Sequence, residues 1–190
     1  CLEYLKDLNK RTYLTIELGL QSMHNETLKL INRGHDLECF DKCVEKLKEN
    51  NITVVVHIIN GLPFETFDMM LSTVKHLNKL KIDGIKIHML HVLKNTRLEK
   101  YYEETNFHLL TKEEYVDIVC DQIEELNENI VIHRLTGDGA KDDLIAPLWT
   151  IKKVSVLNDI DKELNKRGTY QGFNKSILNR VNLICEKVIK

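Results

Sequence analysis

The sequence predicts an α/β fold in which parallel strands form a sheet and helices pack outside it. Four apolar runs rich in β-branched residues alternate with stretches of helical spacing, which is the pattern of repeated βαβ units. The run over residues 52–60 (ITVVVHIIN) is almost continuously apolar, as expected of a strand buried on both faces of a parallel sheet. Four strands cannot close a barrel of ordinary size, so the sheet is either open or completed by residues outside this chain.

The first half of the chain is predicted to contain two strands, each followed by a helical stretch. Phe40, Val44 and Leu47 lie at helical spacing, and no alternation of apolar and polar residues competes with a helix there. Ser22 or Asn25 is expected to cap the short helix over 24–32. In chain order the predicted elements are a helix over 2–9, a strand over 13–20, a helix over 24–32, a helix from 36 or 37 to 49, the strand over 52–60 and a helix from 65 or 66 to 80.

The second half continues the alternation and ends in helices. Thr111, followed three residues later by Glu114, forms a capping-box pattern that opens a helix. Trp149, just after Pro147, is expected to anchor the C-terminal part of the chain onto the sheet and its helices. The predicted elements are a strand over 85–93, helices over 97–104 and 111–127, a strand over 130–135, a helix over 153–166 and a terminal helix over 175–189.

The composition limits the classes of function that fit the chain. A net charge of −2 over 190 residues gives no strong overall field to attract nucleic acid, although a local basic patch is compatible with it. No apolar run approaches the roughly 20 residues that span a membrane. The five cysteines are odd in number and scattered, which indicates reduced thiols in a cytoplasmic protein. The chain begins with Cys1 inside a predicted helix, so we expect native sequence to precede it.

Polar and glycine-containing motifs stand at the end of each predicted strand. Because the carboxyl ends of parallel strands meet at one edge of a sheet, these motifs predict a small-molecule site at that edge. The motifs are ELGLQS (17–22) with INRGH (31–35), HIINGLPFET (57–66), IKIHMLHV (85–92) and HRLTGDG (133–139).

At these motifs the sequence resembles the radical S-adenosylmethionine (SAM) superfamily. More narrowly, it is similar to a bacterial family related to the Elongator catalytic subunit and to oxygen-independent coproporphyrinogen oxidase. The segments LTKEEYV, LIAPLW and TYQG also fit that family, so the similarity runs from about residue 13 to residue 172. One such motif alone is a weak signal, whereas all of them in order are a strong one.

The resemblance implies that residues 1–139 are the C-terminal part of a partial (β/α)6, TIM-like barrel, and that residues 140–190 form a helical extension packed on it. It also implies an enzyme that, at full length, binds a [4Fe–4S] cluster and cleaves SAM reductively to a 5′-deoxyadenosyl radical. In this superfamily three cysteines of a CxxxCxxC loop hold the cluster, and that loop would precede Cys1. The chain alone is therefore expected to be inactive.

The cysteines of this chain depart from the cluster pattern. Cys39 and Cys43 have the first spacing of the motif, but position 46 is Lys46, so the third ligand is missing. Both cysteines also lie on a predicted helix, where we expect two small, partly buried residues. A redox or metal-binding pair is the alternative, and no metal ligand is predicted within this chain.

The resemblance assigns SAM-binding residues to the ends of the first two strands. Gln21 and Arg33 match positions that contact SAM in the coproporphyrinogen oxidase-like relatives, and a guanidinium can hold a carboxylate with two parallel hydrogen bonds. His57 stands where those relatives often carry an aspartate for the ribose, and Gly61 allows close approach of the backbone to a ligand. Glu17 lies in an apolar strand and is expected to be paired, at the site. The alternative to SAM binding is that Arg33 is a surface residue, Gln21 an ordinary residue at a strand end and His57 a buried, hydrogen-bonded histidine.

Substrate contacts are expected from the ends of the last two strands. His88 and His91 belong to the third strand and are expected on opposite faces of it. His133 and Arg134 lie on the fourth strand, and Asp138 lies in the glycine-flanked loop after it. Histidines there can contact a substrate or transfer protons near neutral pH. The alternative is that they are ordinary core or surface residues.

Partners and competing functions follow from these assignments. The resemblance implies tRNA as the substrate and a reductant such as flavodoxin or ferredoxin, while an uncovered sheet edge could be an association surface. Basic residues near the C-terminus could contact RNA phosphates or form an ordinary solvated surface. The alternatives to the enzyme are a non-catalytic half-barrel that binds SAM or a nucleotide, and a metallohydrolase with zinc on His57, His88 and His133.

Overall fold

The structure is a computed structural model that describes residues 2–137, 139 and 141–175. The helices are α1 (Leu2–Arg11), α2 (Asn25–Leu30), α3 (Leu37–Glu49), α4 (Phe67–Lys79), α5 (Arg97–Thr105), α6 (Lys112–Glu125) and α7 (Lys153–Arg167). The strands are β1 (Thr15–Gln21), β2 (Thr53–Asn60), β3 (Gly84–Met89), β4 (Val92–Leu93), β5 (Val131–Arg134) and β6 (Leu144–Ala146). Asp138 and, apart from Lys175, the terminal helix predicted over 175–189 lie outside the described residues.

The central sheet contains four parallel strands in the order β1-β2-β3-β5, which confirms the predicted fold class. β1 and β5 are therefore the edge strands of the described sheet. The lateral register places Gly19 beside His57 and His57 beside Lys86. All four carboxyl ends point in the same direction, so the motifs that follow the strands meet at one edge.

The two faces of the sheet differ in chemistry because side chains alternate along each strand. One face carries the buried residues Leu20, Val54, Val56, Ile58, Ile85 and Ile87, which form one core with the apolar sides of α3, α4 and α6. The other face, here called the open face, carries Glu17, Val55, His57, Lys86 and His88, all of which lie outside that core. The prediction that β2 is buried on both faces holds for Val55 but not for the half-buried His57.

Most predicted helix starts are confirmed by side-chain caps. Asp36 accepts a hydrogen bond from the backbone N–H of Cys39, Thr66 caps α4, and Thr111 with Glu114 forms the complete capping box of α6. The cap predicted for the short helix α2 is wrong, since its N-cap is His24 and makes no side-chain hydrogen bond to the helix. The hydroxyl of Ser22 instead accepts a hydrogen bond from the backbone N–H of His24.

The third predicted strand, over 85–93, is wrong as one continuous element. β3 ends at Met89, and the chain bends through Leu90 and His91 into the separate strand β4. Leu90 still donates a backbone hydrogen bond to Asn60 at 3.0 Å. β4 then leaves the sheet because it pairs with β6 in an antiparallel ribbon.

The C-terminal part packs on α6. The indole N–H of Trp149 donates a hydrogen bond to the carbonyl of Leu110, and its ring lies 5.3 Å from that of Tyr115, which confirms the predicted anchor. The guanidinium of Arg167, on α7, forms ion pairs with four carboxylates, those of Asp117, Asp121, Glu124 and Glu163. The division into domains at residues 139 and 140 stays a prediction. In the described part of the chain, no helix has both the length and the apolar character needed to cross a lipid bilayer.

Candidate functional site

Gly19, Gln21 and Arg33 form one cluster at the carboxyl end of β1. The Nε and Nη2 atoms of Arg33 donate hydrogen bonds to the carbonyl oxygen of Gly19 at 3.0 and 2.6 Å. The strand register shifts between Gly19 and Gln21, and Gln21 has a φ of 71°, which a residue with a side chain rarely adopts. A Cβ on Gly19 would lie 2.5 Å from Nε2 of Gln21 and 3.1 Å from Nη2 of Arg33. The two residues predicted to bind SAM therefore lie together, and only glycine leaves room for them.

An apolar cavity of about 370 Å³ lies at the same edge of the sheet. It adjoins Arg33 through its chain neighbour Asn32, and the ends of β2 and β3 contribute Ile59 and Leu90. Its volume lies in the range of small-molecule sites, which are mostly apolar with a few polar groups at the rim. Other lining residues come from the turn after β2 and from α5, and they are Leu62, Pro63, Leu98 and Tyr101.

On the open face, the carboxylate of Glu17 joins two neighbouring strands. Lys86 donates hydrogen bonds to both of its oxygens at 2.6 Å, and Nε2 of His57 lies 2.8 Å from Oε2. The hydrogen bonds with Lys86 and then His57 lower the pKa of Glu17 below its ordinary value. The expectation that this glutamate is paired is thus met, and Lys86 is a partner that the motifs did not single out. Only the lateral register of the strands could have identified it.

His88 lies next to these residues, and one of its ring nitrogens has no partner among the residues that the structure describes. Its ring stacks on that of His57 with centroids 5.3 Å apart. Nε2 of His88 is buried and makes no hydrogen bond to any described residue. Burial, together with the nearby positive charges of His57, Arg134 and Lys86, lowers the pKa of His88 to about 4, so the ring is neutral at pH 7. A neutral imidazole with a free nitrogen can donate or accept one hydrogen bond from a ligand.

Alternation along the strand predicted His91 on the face opposite to His88, and this prediction is wrong. The strand ends at Met89, so the alternation of faces does not extend to residue 91. A Cβ on Gly137 would lie 3.0 Å from Cε1 of His91 and 3.5 Å from Nδ1 of His88, which places both rings beside that glycine. Burial lowers the pKa of His91, and the charge of Lys153 adds to the effect.

The remaining predicted residues are spread more widely. Arg134 is in register with Lys86, near the rings just described. His133 lies against Gly84 at the amino end of β3. Gly84 is four residues before His88, and four residues span about 13 Å along a strand. Gly61 has a φ of 84°, and a Cβ there would meet Leu110 at 3.2 Å.

The described residues do not fit an iron–sulfur cluster or a zinc site. They contain no group of three histidine, cysteine, aspartate or glutamate side chains placed to hold a metal ion. Cys39 and Cys43 lie on α3, and the expectation that they are partly buried is wrong, because both are exposed. The position of His133 explains why the three histidines considered for zinc do not converge.

Glu65 is a further contact that sequence reasoning missed. The helix after β2 was predicted to begin at residue 65 or 66, with Glu65 or Thr66 as its start, and Thr66 supplies the cap. The carboxylate of Glu65 instead accepts a hydrogen bond from the hydroxyl of Ser22, 43 residues earlier in the chain. Burial raises the pKa of Glu65, against the lowering effect of the hydroxyls of Ser22 and Thr27. No periodic pattern in the sequence signals such a long-range contact.

Comparison with known proteins adds independent observations. The family model of the Radical SAM superfamily matches residues 1–77, and that of the Radical_SAM C-terminal domain matches residues 82–166. The uncharacterized protein YtqA of Bacillus subtilis (strain 168) is 48% identical over 171 residues, which are 90% of this chain and 53% of YtqA. The tRNA uridine(34) acetyltransferase of Methanocaldococcus infernus is 29% identical over 120 residues, which are 60% of this chain and 22% of that protein.

A solved structure agrees with the fold. The structure of Elp3 from Methanocaldococcus infernus, with an N-terminal deletion, has a TM-score of 0.79 and covers 89% of this chain and 40% of that chain. At 23% sequence identity this likeness shows the fold alone. The chain spans about half the length of the curated relatives it matches. The parallel sheet, the motifs at its carboxyl edge and the two matching family models lead to one conclusion: the chain belongs to the radical SAM superfamily.

Proposed function

We propose that this chain carries the SAM-binding part of a radical SAM enzyme that modifies tRNA. The observation that carries the proposal is the contact of Arg33 and Gln21 with Gly19 at the carboxyl end of β1, at the same edge of the sheet as an apolar cavity that Asn32 helps to line. When bound together, SAM and a [4Fe–4S] cluster supply radical chemistry that amino-acid side chains cannot provide. The residues of this chain would bind and orient SAM and the substrate.

The polar side chains of Arg33 and Gln21 and the apolar cavity suit different parts of SAM. The guanidinium of Arg33 is held by Gly19, and its planar donors are suited to a carboxylate. The amide of Gln21 can bond a carboxylate or a ribose oxygen. The apolar walls suit a flat ring system, because burying apolar surface is favourable. Gly61 belongs to the turn after β2 that leads into Leu62 and Pro63 on the cavity wall.

The open face would orient the ribose and the substrate. Glu17 holds the imidazole of His57, which can then bond a ribose hydroxyl. His88, with its free buried nitrogen, and the nearby His91 and Arg134 would contact the substrate. His133, which lies against Gly84, is left out of this proposed set of contacts.

The substrate and the partners are inferred from relatives. One relative is a tRNA uridine(34) acetyltransferase, which supports tRNA as the substrate. A one-electron reductant such as flavodoxin or ferredoxin would supply electrons, and the cytoplasm holds both tRNA and such reductants. We place the cysteine ligands of the [4Fe–4S] cluster outside this chain, because Cys39 and Cys43 are followed by Lys46 where the third cysteine of the motif would stand.

Anaerobic reconstitution with iron and sulfide tests this proposal. The full-length protein and the 190-residue chain are treated in parallel, and iron content and visible absorbance are measured. We expect a cluster in the full-length protein and none in the chain. If neither binds a cluster, the radical reaction is wrong, and a non-catalytic module that binds SAM or a nucleotide becomes the better account.

A further inference from the structure

Glu65 connects the segment that follows β1 with the loop that follows β2. One segment follows β1 and holds Ser22, directly after the strand, and Thr27, on α2; these residues are 0% and 5% exposed. The other follows β2 and leads from Gly61 to α4. The carboxylate of Glu65 accepts a hydrogen bond from the hydroxyl of Ser22 and interacts with that of Thr27. Two segments far apart in sequence therefore meet at one partly buried carboxylate.

The structure of α4 itself does not require this carboxylate. Thr66 caps the helix by accepting a hydrogen bond from the backbone N–H of Met69 at 3.3 Å. Burying a carboxylate is costly unless hydrogen bonds compensate, and a buried charge is weak evidence of stabilisation. The raised pKa of Glu65 agrees with such a cost. A role in fixing local geometry accounts for a charge at this position better than stability does.

The geometry that Glu65 fixes is that of the candidate SAM site. Ser22 directly follows Gln21, whose left-handed backbone conformation must be held by its surroundings. On the other loop, Leu62 and Pro63 precede Glu65 and line the cavity. A shift of Glu65 would therefore move the amide of Gln21 and the cavity wall together.

We propose that Glu65 is a positioning residue that sets the affinity for SAM by holding Gln21 and the Leu62–Pro63 wall in place, without itself contacting the ligand. The proposal rests on the proposed function, since it assumes that SAM binds at this cavity. Its structural part, that Glu65 determines where the side chain of Gln21 lies, does not depend on the identity of the ligand.

The test uses Glu65→Ala, Glu65→Gln and Ser22→Ala in the full-length protein after anaerobic reconstitution. Calorimetric titration with SAM is made under conditions where circular dichroism shows each variant to be folded. We expect Glu65→Ala and Ser22→Ala to weaken SAM binding at least tenfold. Glu65→Gln keeps a carbonyl acceptor and should stay within about threefold of the wild type. Glu45→Ala, at an exposed glutamate of α3, is the matched control and should not change the affinity.

A second readout follows the position of Gln21 directly. The side-chain amide resonance of Gln21 is assigned by its loss in Gln21→Ala and then compared between the wild type and Glu65→Gln or Glu65→Ala. We expect it to move in Glu65→Ala and to stay close to the wild-type position in Glu65→Gln. An unmoved resonance in folded Glu65→Ala, or unchanged SAM affinity, overturns the positioning role. If SAM binds to none of the proteins while the resonance moves as expected, the proposed function fails and the positioning role stands.

Discussion

At the scale of single residues, the site depends on Gly19 having no side chain. Its carbonyl oxygen holds the guanidinium of Arg33, and the amide of Gln21 occupies the space that a Cβ would need. The motif ELGLQS predicted that Gln21 lies at the site, because a strand end was recognisable from its apolar run. The contact of Arg33 with Gly19 could not be predicted, because it depends on the register shift at Gln21.

We expect Gly19→Ala to fold and to bind SAM at least tenfold more weakly than the wild type. The new methyl group would displace the ends of two flexible side chains rather than backbone atoms, so the effect on stability should be small. Gly84→Ala is the matched control, because a Cβ there also lies 2.5 Å from a side-chain end, that of His133, away from the cavity. Titration calorimetry with SAM compares the two, and equal losses of affinity would contradict the account of Gly19.

His88 should make stability depend on pH in a defined direction. Its folded pKa of about 4 lies below the ordinary value of 6.5, so the unfolded chain binds more protons between these values. The wild type should therefore lose stability as the pH falls from 6.5 towards 4, and His88→Gln should lose less. The difference in melting temperature between variant and wild type should move in favour of the variant by on the order of 2–4 °C between pH 7 and pH 5.

The control for this pH dependence is His108→Gln, at an exposed histidine that contacts Glu114 far from the open face. The difference in melting temperature between His108→Gln and the wild type should not change between pH 7 and pH 5 in the way expected for His88→Gln. If the melting temperatures of His88→Gln and the wild type differ by the same amount over the whole pH range, the account of His88 as a neutral ring whose protonated form is disfavoured is wrong.

At the scale of elements, local signals located the helices well and the strand pairing poorly. The capping box at Thr111 and the caps Asp36 and Thr66 act within one turn of backbone, so their residues suffice to predict them. The end of β3 at Met89 depends on the pairing of β4 with β6, about 50 residues later, which no local pattern reveals.

Arg167 determines how α7 attaches to α6. It is one of the basic residues near the C-terminus that were considered for contact with RNA phosphates, but its side chain is 23% exposed and lies among four carboxylates. We expect Arg167→Ala to lower the free energy of unfolding by about 1.5–3 kcal/mol, since charged hydrogen bonds are lost and the carboxylates repel one another. Urea denaturation of the 190-residue chain measures this change.

The matched control is Lys162→Ala, on the same helix, whose side chain is 77% exposed and lies 3.7 Å from Asp159. Surface ion pairs of this kind contribute about 0–1 kcal/mol. A comparable loss in both variants would mean that Arg167 is an ordinary surface residue.

At the scale of the whole molecule, the sheet separates packing from chemistry. One face forms the core with the helices, and the open face and the carboxyl edge carry the polar groups. Apolar periodicity predicted the first part, because it reports burial. The arrangement of Glu17, His57 and Lys86 could not be read from periodicity, since it requires the lateral register of three strands.

The central claim is that SAM binds at the carboxyl edge through Arg33 and Gln21, and titration of SAM into the reconstituted full-length protein tests it most directly. Wild type, Arg33→Lys and the surface control Arg11→Lys, which alters only an exposed pair with Asp7, are compared by calorimetry. We expect saturable binding by the wild type and the control. Arg33→Lys should bind at least tenfold more weakly, because loss of the charged hydrogen bonds costs about 1.5 kcal/mol or more. Undiminished binding by Arg33→Lys, or no binding by the wild type, would contradict the claim.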